Sequence, residues 1–435
     1  MRNVVLQPAK GGGMQELERN RALVLATLAF AANFSVWTLY AAIVLPIASM
    51  WHLSVTEIGV LLAAPMLTGA ILRIPVGLLV DCMSAKLLFV LQMLLCIPAL
   101  LLLYVASNYN YLLMIGLWIG ISGCSFTIGI RYVCDFFPRK QQGTAMGVFG
   151  VGNSGAAITL VFAPWLIENY GWQWVGPAYA LGLAIIAVMF WLLAPRQPVL
   201  SEQIYQPPQR WQQLLKNHHI WRLGLYYYFV FGSFLALLLW LPYYYMQAYQ
   251  LSLTQAMAFT LFFVATSSVI RALGGWFADK YGGRSVNWSV FWVCLVCLFF
   301  LSYPPTTMTI HGVEQDVDLT ISVNVWVFTA LLFIIGLAQG FGRASVFKMI
   351  HEHYPQQMGA VGGIVAAVGA LGGFTLPILF SYAVDFVGFY SASFMMLYGV
   401  LAACMMVMYF ALKAQRYQRR LKEASSYNFL EDDDL

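Results

Sequence analysis

RIPVGLLVD, residues Arg73 to Asp81, and RALGGWFAD, residues Arg271 to Asp279, carry one pattern twice: an arginine, seven residues, an aspartate. Each copy ends a long apolar run, so the chain reads as two halves of matching design. A membrane-crossing helix needs about 20 apolar residues. Outward from the two copies, runs of that length lie near 21–50, 57–80, 87–106, 110–134, 143–167, 173–195, 221–248, 256–278, 287–303, 323–347, 358–384 and 387–414. These predict twelve spanning helices, six per half. None of the runs shows strict alternation of apolar and polar residues, which disfavours a transmembrane β-barrel.

Composition agrees. Of 435 residues, 61% are hydrophobic and 9% charged, against about 25% charged in a soluble domain. So few charges cannot cover the surface of soluble domains, which excludes a soluble enzyme, a nucleic-acid-binding protein and a disordered chain. The net charge of +5 is explained by where the cations fall. Arg2, Lys10, Arg19 and Arg21 precede the first span. Lys86, Arg139, Lys140, Arg196, Arg210, Lys216, Arg222, Lys280, Arg284 and Lys348 sit at even-numbered connections. The odd-numbered connections hold no Lys or Arg, and the ninth is acidic (Glu314, Asp316, Asp318). By the positive-inside rule both termini and all even connections are cytoplasmic, and the protein is expected in the inner membrane with the lipid bilayer as its surroundings.

The expected organisation is a cytoplasmic tail over 1–20, a six-helix half over 21–195, a polar linker over 196–220, a second half over 221–415 and a cytoplasmic tail over 416–435. The N-terminal stretch has no apolar core of a signal peptide. Among seven cysteines, Cys294 and Cys297 stand a helical turn apart and read as packing residues, since no histidine completes a metal site. No histidine is central in a span, and His351 and His353 are expected in a solvated loop. No cofactor, metal or catalytic constellation is legible, so the chain is not expected to be an enzyme. A monomer is expected.

All 18 acidic residues lie at span ends, in connections or in tails, while Arg73, Arg131, Arg271 and Arg343 fall within or at the edges of spans. An intramembrane arginine costs a few kcal/mol or more, and an uncompensated one demands a partner. Asp81 and Asp279 are about 12 Å further along their helices at ~1.5 Å per residue, too far for a direct bridge. An anion held between Arg73 and Arg271 would supply the missing charge. Two planar guanidinium forks suit a small trigonal oxyanion, and Asn153, between Gly152 and Gly155, can add an amide. Arg131 and Arg343 are expected near cytoplasmic ends, in gating or helix packing. The stripes Gly147, Gly152, Gly155 and Gly363, Gly369, Gly372, Gly373 permit close helix contact, expected where one half rocks against the other.

The segment GWFADKYGGR, Gly275 to Arg284, resembles the cytoplasmic G-x-x-x-D-[RK]-x-G-x-[RK] motif of the major facilitator superfamily. That gives Asp279, Lys280 and Arg284 motif roles, while the matching GLLVDCMSAK keeps only Gly77 and Asp81. GVFGVGNSGAAITLVFAPWL, Gly147 to Leu166, and VGGIVAAVGALGGFTLPI, Val361 to Ile378, resemble the paired signatures of the nitrate/nitrite porter family (NarK/NasA type) within it. The second signature departs at Ala366 and Ala367, where glycine is common.

The resemblance implies a secondary transporter of nitrate or nitrite working by alternating access. It clamps the anion between Arg73 and Arg271, with Asn153, Tyr227 and Phe231 around it. Coupling stays open between proton symport and nitrate/nitrite exchange. The alternatives are a carrier of another small anion, such as formate, oxalate or a further carboxylate, and an anion sensor. The short tails argue against the sensor.

Overall fold

The computed structural model describes residues 12–138, 141–197, 214–311, 316–354 and 358–431. The twelve expected spans are present among them. Eleven are helices long and apolar enough to cross a membrane: Glu16–Trp51 (span 1), Val55–Gly77 (2), Ala85–Val105 (3), Tyr109–Cys134 (4), Ala145–Tyr170 (5), Trp172–Leu193 (6), His218–Tyr249 (7), Gly283–Leu301 (9), Val325–His353 (10), Ala360–Val387 (11) and Ala392–Gln418 (12). Span 8 is a bent pair, Leu253–Val269 and Arg271–Tyr281, with 44° between its parts.

The internal repeat extends to the helix caps. Ser54 opens span 2 with a capping box to Glu57, and Ser252 opens span 8 with one to Gln255. Each box satisfies two backbone donors that the first turn would otherwise leave unpaired. Arg73 and Arg271 stand at the same spacing from their caps, so both halves carry the arginine to the same depth.

One sequence expectation is corrected. Span 10 does not end near 347 but continues to His353, which puts His351 and His353 in its last turn rather than in a loop. The last helix runs from Ala392 to Glu431, through most of the stretch expected to be a tail. Connection nine holds an antiparallel pair, Thr306–His311 against Asp316–Ile321, whose threonines and β-branched residues favour extended backbone. The basic residues Arg2, Lys10, Arg139, Lys140 and Arg210 lie outside the described residues.

The halves meet along span 2 against span 11 and span 5 against span 8. At the face opposite the termini the seam is closed in a symmetric manner. Thr56, in the first turn of span 2, donates to Asp385 near the end of span 11. Thr254, in the first turn of span 8, donates to Glu168 near the end of span 5. A Cβ on Gly59 would come within 2.4 Å of Ser381 Oγ, so only a glycine lets these helices approach as closely as they do.

Candidate functional site

Several of the candidate side chains stand where their helices lose regularity. Arg271 follows the break in span 8. Asn153 lies in a 3-10 turn, Val151–Ser154, inside span 5. A second 3-10 turn, Gly120–Cys124, interrupts span 4, and a π-turn over Tyr228–Gly232 follows Tyr227 in span 7. Such irregularities re-aim side chains and free carbonyls inside a spanning helix. Their sequence trace is the run of glycines at Gly120, Gly123, Gly150, Gly152, Gly155 and Gly232.

Arg73 and Arg271 converge. Arg73 is 2% exposed and Arg271 7%, and their guanidinium carbons lie 5.6 and 5.8 Å from the centre of the Phe126 ring. Arg73 Nε donates to Gly123 O at 3.2 Å and Nη1 to Ala366 O at 2.9 Å, so carbonyls from both halves hold it. Its guanidinium also faces the rings of Trp37 (5.0 Å) and Phe231 (5.7 Å). Trp37 is fixed in turn by its indole N–H donating to Pro65 O at 2.9 Å. Aromatic faces are the apolar surroundings that tolerate a cation.

Tyr227 and Phe231 stack at 5.1 Å, so Tyr227 backs the ring that faces Arg73. Gly150 lies against Arg271: a Cβ there would sit 3.0 Å from Arg271 Cζ, so a side chain would have to shift the guanidinium.

Arg343 belongs to this cluster and not to the periphery where the sequence reading put it. It is fully buried and its guanidinium carbon lies 4.2 Å over the Phe234 ring. Its Nη2 donates to Ser267 O and, at 2.7 Å, to Ser267 Oγ. The amide orientation that satisfies the network turns Asn153 Oδ1 toward Arg271 Nη1 (2.9 Å) and Arg343 Nη1 (3.3 Å). Asn153 thus bridges two like charges as an acceptor, where a donor role had been expected. The depth of Arg343 follows from the length of span 10, which continues almost three turns past it at about 3.6 residues per turn. Among the described residues, none of the three arginines has a carboxylate within salt-bridge distance.

On the side of the termini the cluster is covered by Phe347, which meets Tyr227 at 5.2 Å and Phe126 at 6.4 Å, each edge to face. Sequence reasoning missed Phe126, Phe347, Phe234 and Ser267, because an aromatic or serine in an apolar run carries no signal of its own.

The other expected residues lie elsewhere. Arg131, a third exposed, pairs with Asp135 at 3.4 Å. Asp279 pairs with Lys348 of span 10 at 2.6 Å, and Lys280 lies over Trp276 and Tyr281. Arg284 lines a separate cavity. Asp81 closes the helix Val55–Cys82, and its side chain lies outside the described residues.

The glycine stripes pack mostly within the halves rather than between them. Gly152 meets Phe30 and Gly155 meets Ala31 of span 1, while Gly369 and Gly372 meet Tyr227 and Gly232 of span 7. Gly373 meets Leu235 of span 7 and, across the halves, Met66 of span 2. Gly147 and Gly363 face open space.

The family model described as Major Facilitator Superfamily matches residues 25–313. A protein named "Probable nitrate/nitrite antiporter NarK1" from Thermus thermophilus is 34% identical over 88% of this chain and 89% of its own length. The chain belongs to the nitrate/nitrite porter family of the major facilitator superfamily. Within that family it is also similar to a "Nitrite extrusion protein" of Bacillus subtilis, 29% identical over 93% of this chain and 97% of that one. A "Probable nitrate transporter NarT" of Staphylococcus carnosus is 29% identical over 90% and 94%. The fold matches a solved bacterial homologue of the human lysosomal transporter Spinster with a TM-score of 0.68. That match covers 92% of this chain and 97% of the other at 15% identity.

Proposed function

We propose that this porter moves nitrate and nitrite by alternating access, the anion seated among Arg73, Arg271 and Arg343. The observation that carries the reading is three buried guanidiniums brought together, Arg73 and Arg271 against the Phe126 ring and Arg343 joined to Arg271 through Asn153, with no carboxylate among the described residues within salt-bridge distance of them. A planar monoanion accepts from such forks in its own plane while rings cover its faces. Asn153 Oδ1 stands between Arg271 and Arg343 as a neutral substitute for an anion oxygen. When the anion arrives, the amide turns and offers its NH2 instead.

Both termini face the cytoplasm, as the placement of Lys and Arg supports. The two threonine–carboxylate bonds then seal the outer face, and Phe347 over Phe126 and Tyr227 forms the last barrier before the cytoplasm. Opening that barrier releases the anion inward. Opening the outer seam needs the halves to rock and both Thr56–Asp385 and Thr254–Glu168 to part.

An emptied site would leave three uncompensated cations to cross the midpoint of the cycle, at high desolvation cost. This favours exchange, in which the site reorients only when loaded. Counterflow in proteoliposomes tests it: labelled nitrate should enter rapidly when nitrite or nitrate is inside, and a pH gradient alone should drive little uptake. Uptake into anion-free vesicles driven by an inward proton gradient would replace exchange with symport. Counterflow of formate or oxalate with none of nitrate would move the substrate to another anion.

A further inference from the structure

A second basic site lies away from the arginine cluster, on the face that carries the termini. A small, partly open cleft is lined by His219, Arg222 and Tyr226 of span 7, Arg284 of span 9, His353 of span 10 and Met408 of span 12, among others. Among the described residues, neither Arg222 nor Arg284 has a carboxylate within salt-bridge distance. The histidine rings lie 4.7 Å apart.

A hydrogen bond fixes the neutral tautomer of His353, and another ties His219 to Tyr354. His353 Nδ1 lies 2.8 Å from Met349 O. A carbonyl only accepts, so Nδ1 carries the proton and Nε2 is left as an acceptor that becomes a donor when the ring is charged. Asn217 Nδ2 donates to Tyr354 Oη at 3.0 Å, and that hydroxyl lies 3.1 Å from His219 Nδ1. His219 is thus tied to Tyr354 through Nδ1, and its Nε2 is the ring nitrogen left over. The cleft thus gathers two guanidiniums and two imidazoles beside an apolar wall of Leu223, Met408, Ala411 and Leu412.

We propose that this cavity binds a phosphate-type oxyanion. Several donors aimed at one volume match the several acceptor oxygens of such a group, and two arginines supply charge-assisted bonds. The source is an anionic phospholipid headgroup or free phosphate. Basic pockets between spanning helices on the cytoplasmic side suit the former, and the half-exposed Trp221 beside Arg222 is of the kind that seats at the membrane interface.

The test uses the full-length purified protein. Native mass spectrometry is run in detergent with added phosphatidylglycerol or phosphatidylethanolamine, and thermal unfolding is followed with inorganic phosphate. Phosphatidylglycerol binding in preference to phosphatidylethanolamine identifies a headgroup. Stabilisation by millimolar phosphate without lipid retention identifies the free ion. Either supports the site if Arg222→Gln lowers the affinity at least about tenfold, the loss of one charge-assisted bond. His219→Gln should lower it less. Nitrate binding at the central cluster serves as the control for folding of both variants. Absence of both ligands from the wild-type protein, or equal binding by a folded Arg222→Gln protein, overturns the proposal.

Discussion

Arg73 and Arg343 are both fully enclosed, yet their surroundings differ. Arg73 is held by two carbonyls and three rings, and Arg343 by Ser267, Asn153 and one ring. Each depends on the planar fork, because a lysine would keep the charge while losing the paired directions. Arg73→Lys, Arg271→Lys and Arg343→Lys should each remove most nitrate uptake with normal membrane insertion. Labelled uptake in vesicles checks this, and near-wild-type rates in all three would end the clamp reading.

Asn153 gives a sharper contrast. Asn153→Ala should weaken nitrate roughly ten- to a hundredfold, as expected for a lost bond to a charged partner of about 1.5–3 kcal/mol. Asn153→Asp should do worse, because a tethered carboxylate between Arg271 and Arg343 takes the place of the anion. Isothermal titration separates the two, and an Asp variant that binds nitrate as tightly as the Ala variant contradicts the placeholder role.

At the scale of the helix, span 5 is held by glycines where it crosses span 1. A Cβ on Gly155 would lie 1.9 Å from Ala31 O, and one on Gly152 would lie 2.4 Å from Phe30. Backbone cannot yield as a flexible side chain can, so Gly155→Val should cost more than the 1–3 kcal/mol usual for overpacking. Loss of monodisperse protein after solubilisation would register it, and a normal melting temperature would contradict it.

The outer seam behaves differently, since its bonds are exposed and each is worth little alone. Asp385→Asn combined with Glu168→Gln keeps the shape and weakens both bonds to threonine, because neutral acceptors hold hydrogen bonds about half as strongly as charged ones. The expected outcome is a larger outward-open population. It would be measured by the distance between spin labels at Asn169 and Phe386, an exposed residue of each half, and an unchanged distance distribution would mean that the seam is held by helix packing alone.

For the molecule as a whole, the site is cationic, enclosed and walled by rings, which sets its selectivity. Nitrite should compete with labelled nitrate, and chlorate at least weakly. Sulfate and phosphate should compete poorly at this site, because tetrahedral dianions mismatch planar forks and carry a larger desolvation cost into an enclosed volume. Strong inhibition by sulfate with none by nitrite would move the substrate to another class of anion.

The sequence by itself determined the two-half architecture, because a bilayer demands a long apolar run for every crossing. The repeated arginine and aspartate also kept their register through both halves. Arg73 and Arg271 were legible for the same reason: a charge in an apolar run stands out, and it stood out twice. Asn153 showed as a polar residue among glycines in an apolar run, and Tyr227 and Phe231 were legible only through likeness to a family.

Tertiary structure alone decided that Arg343 joins the cluster, that Asn153 accepts between two cations, and that Phe347 covers the arginines. It also decided that the glycine stripes pack mainly inside the halves. Each of these depends on how far a helix continues and at which turn it breaks. Those are set by the neighbours a helix packs against, which local composition does not encode.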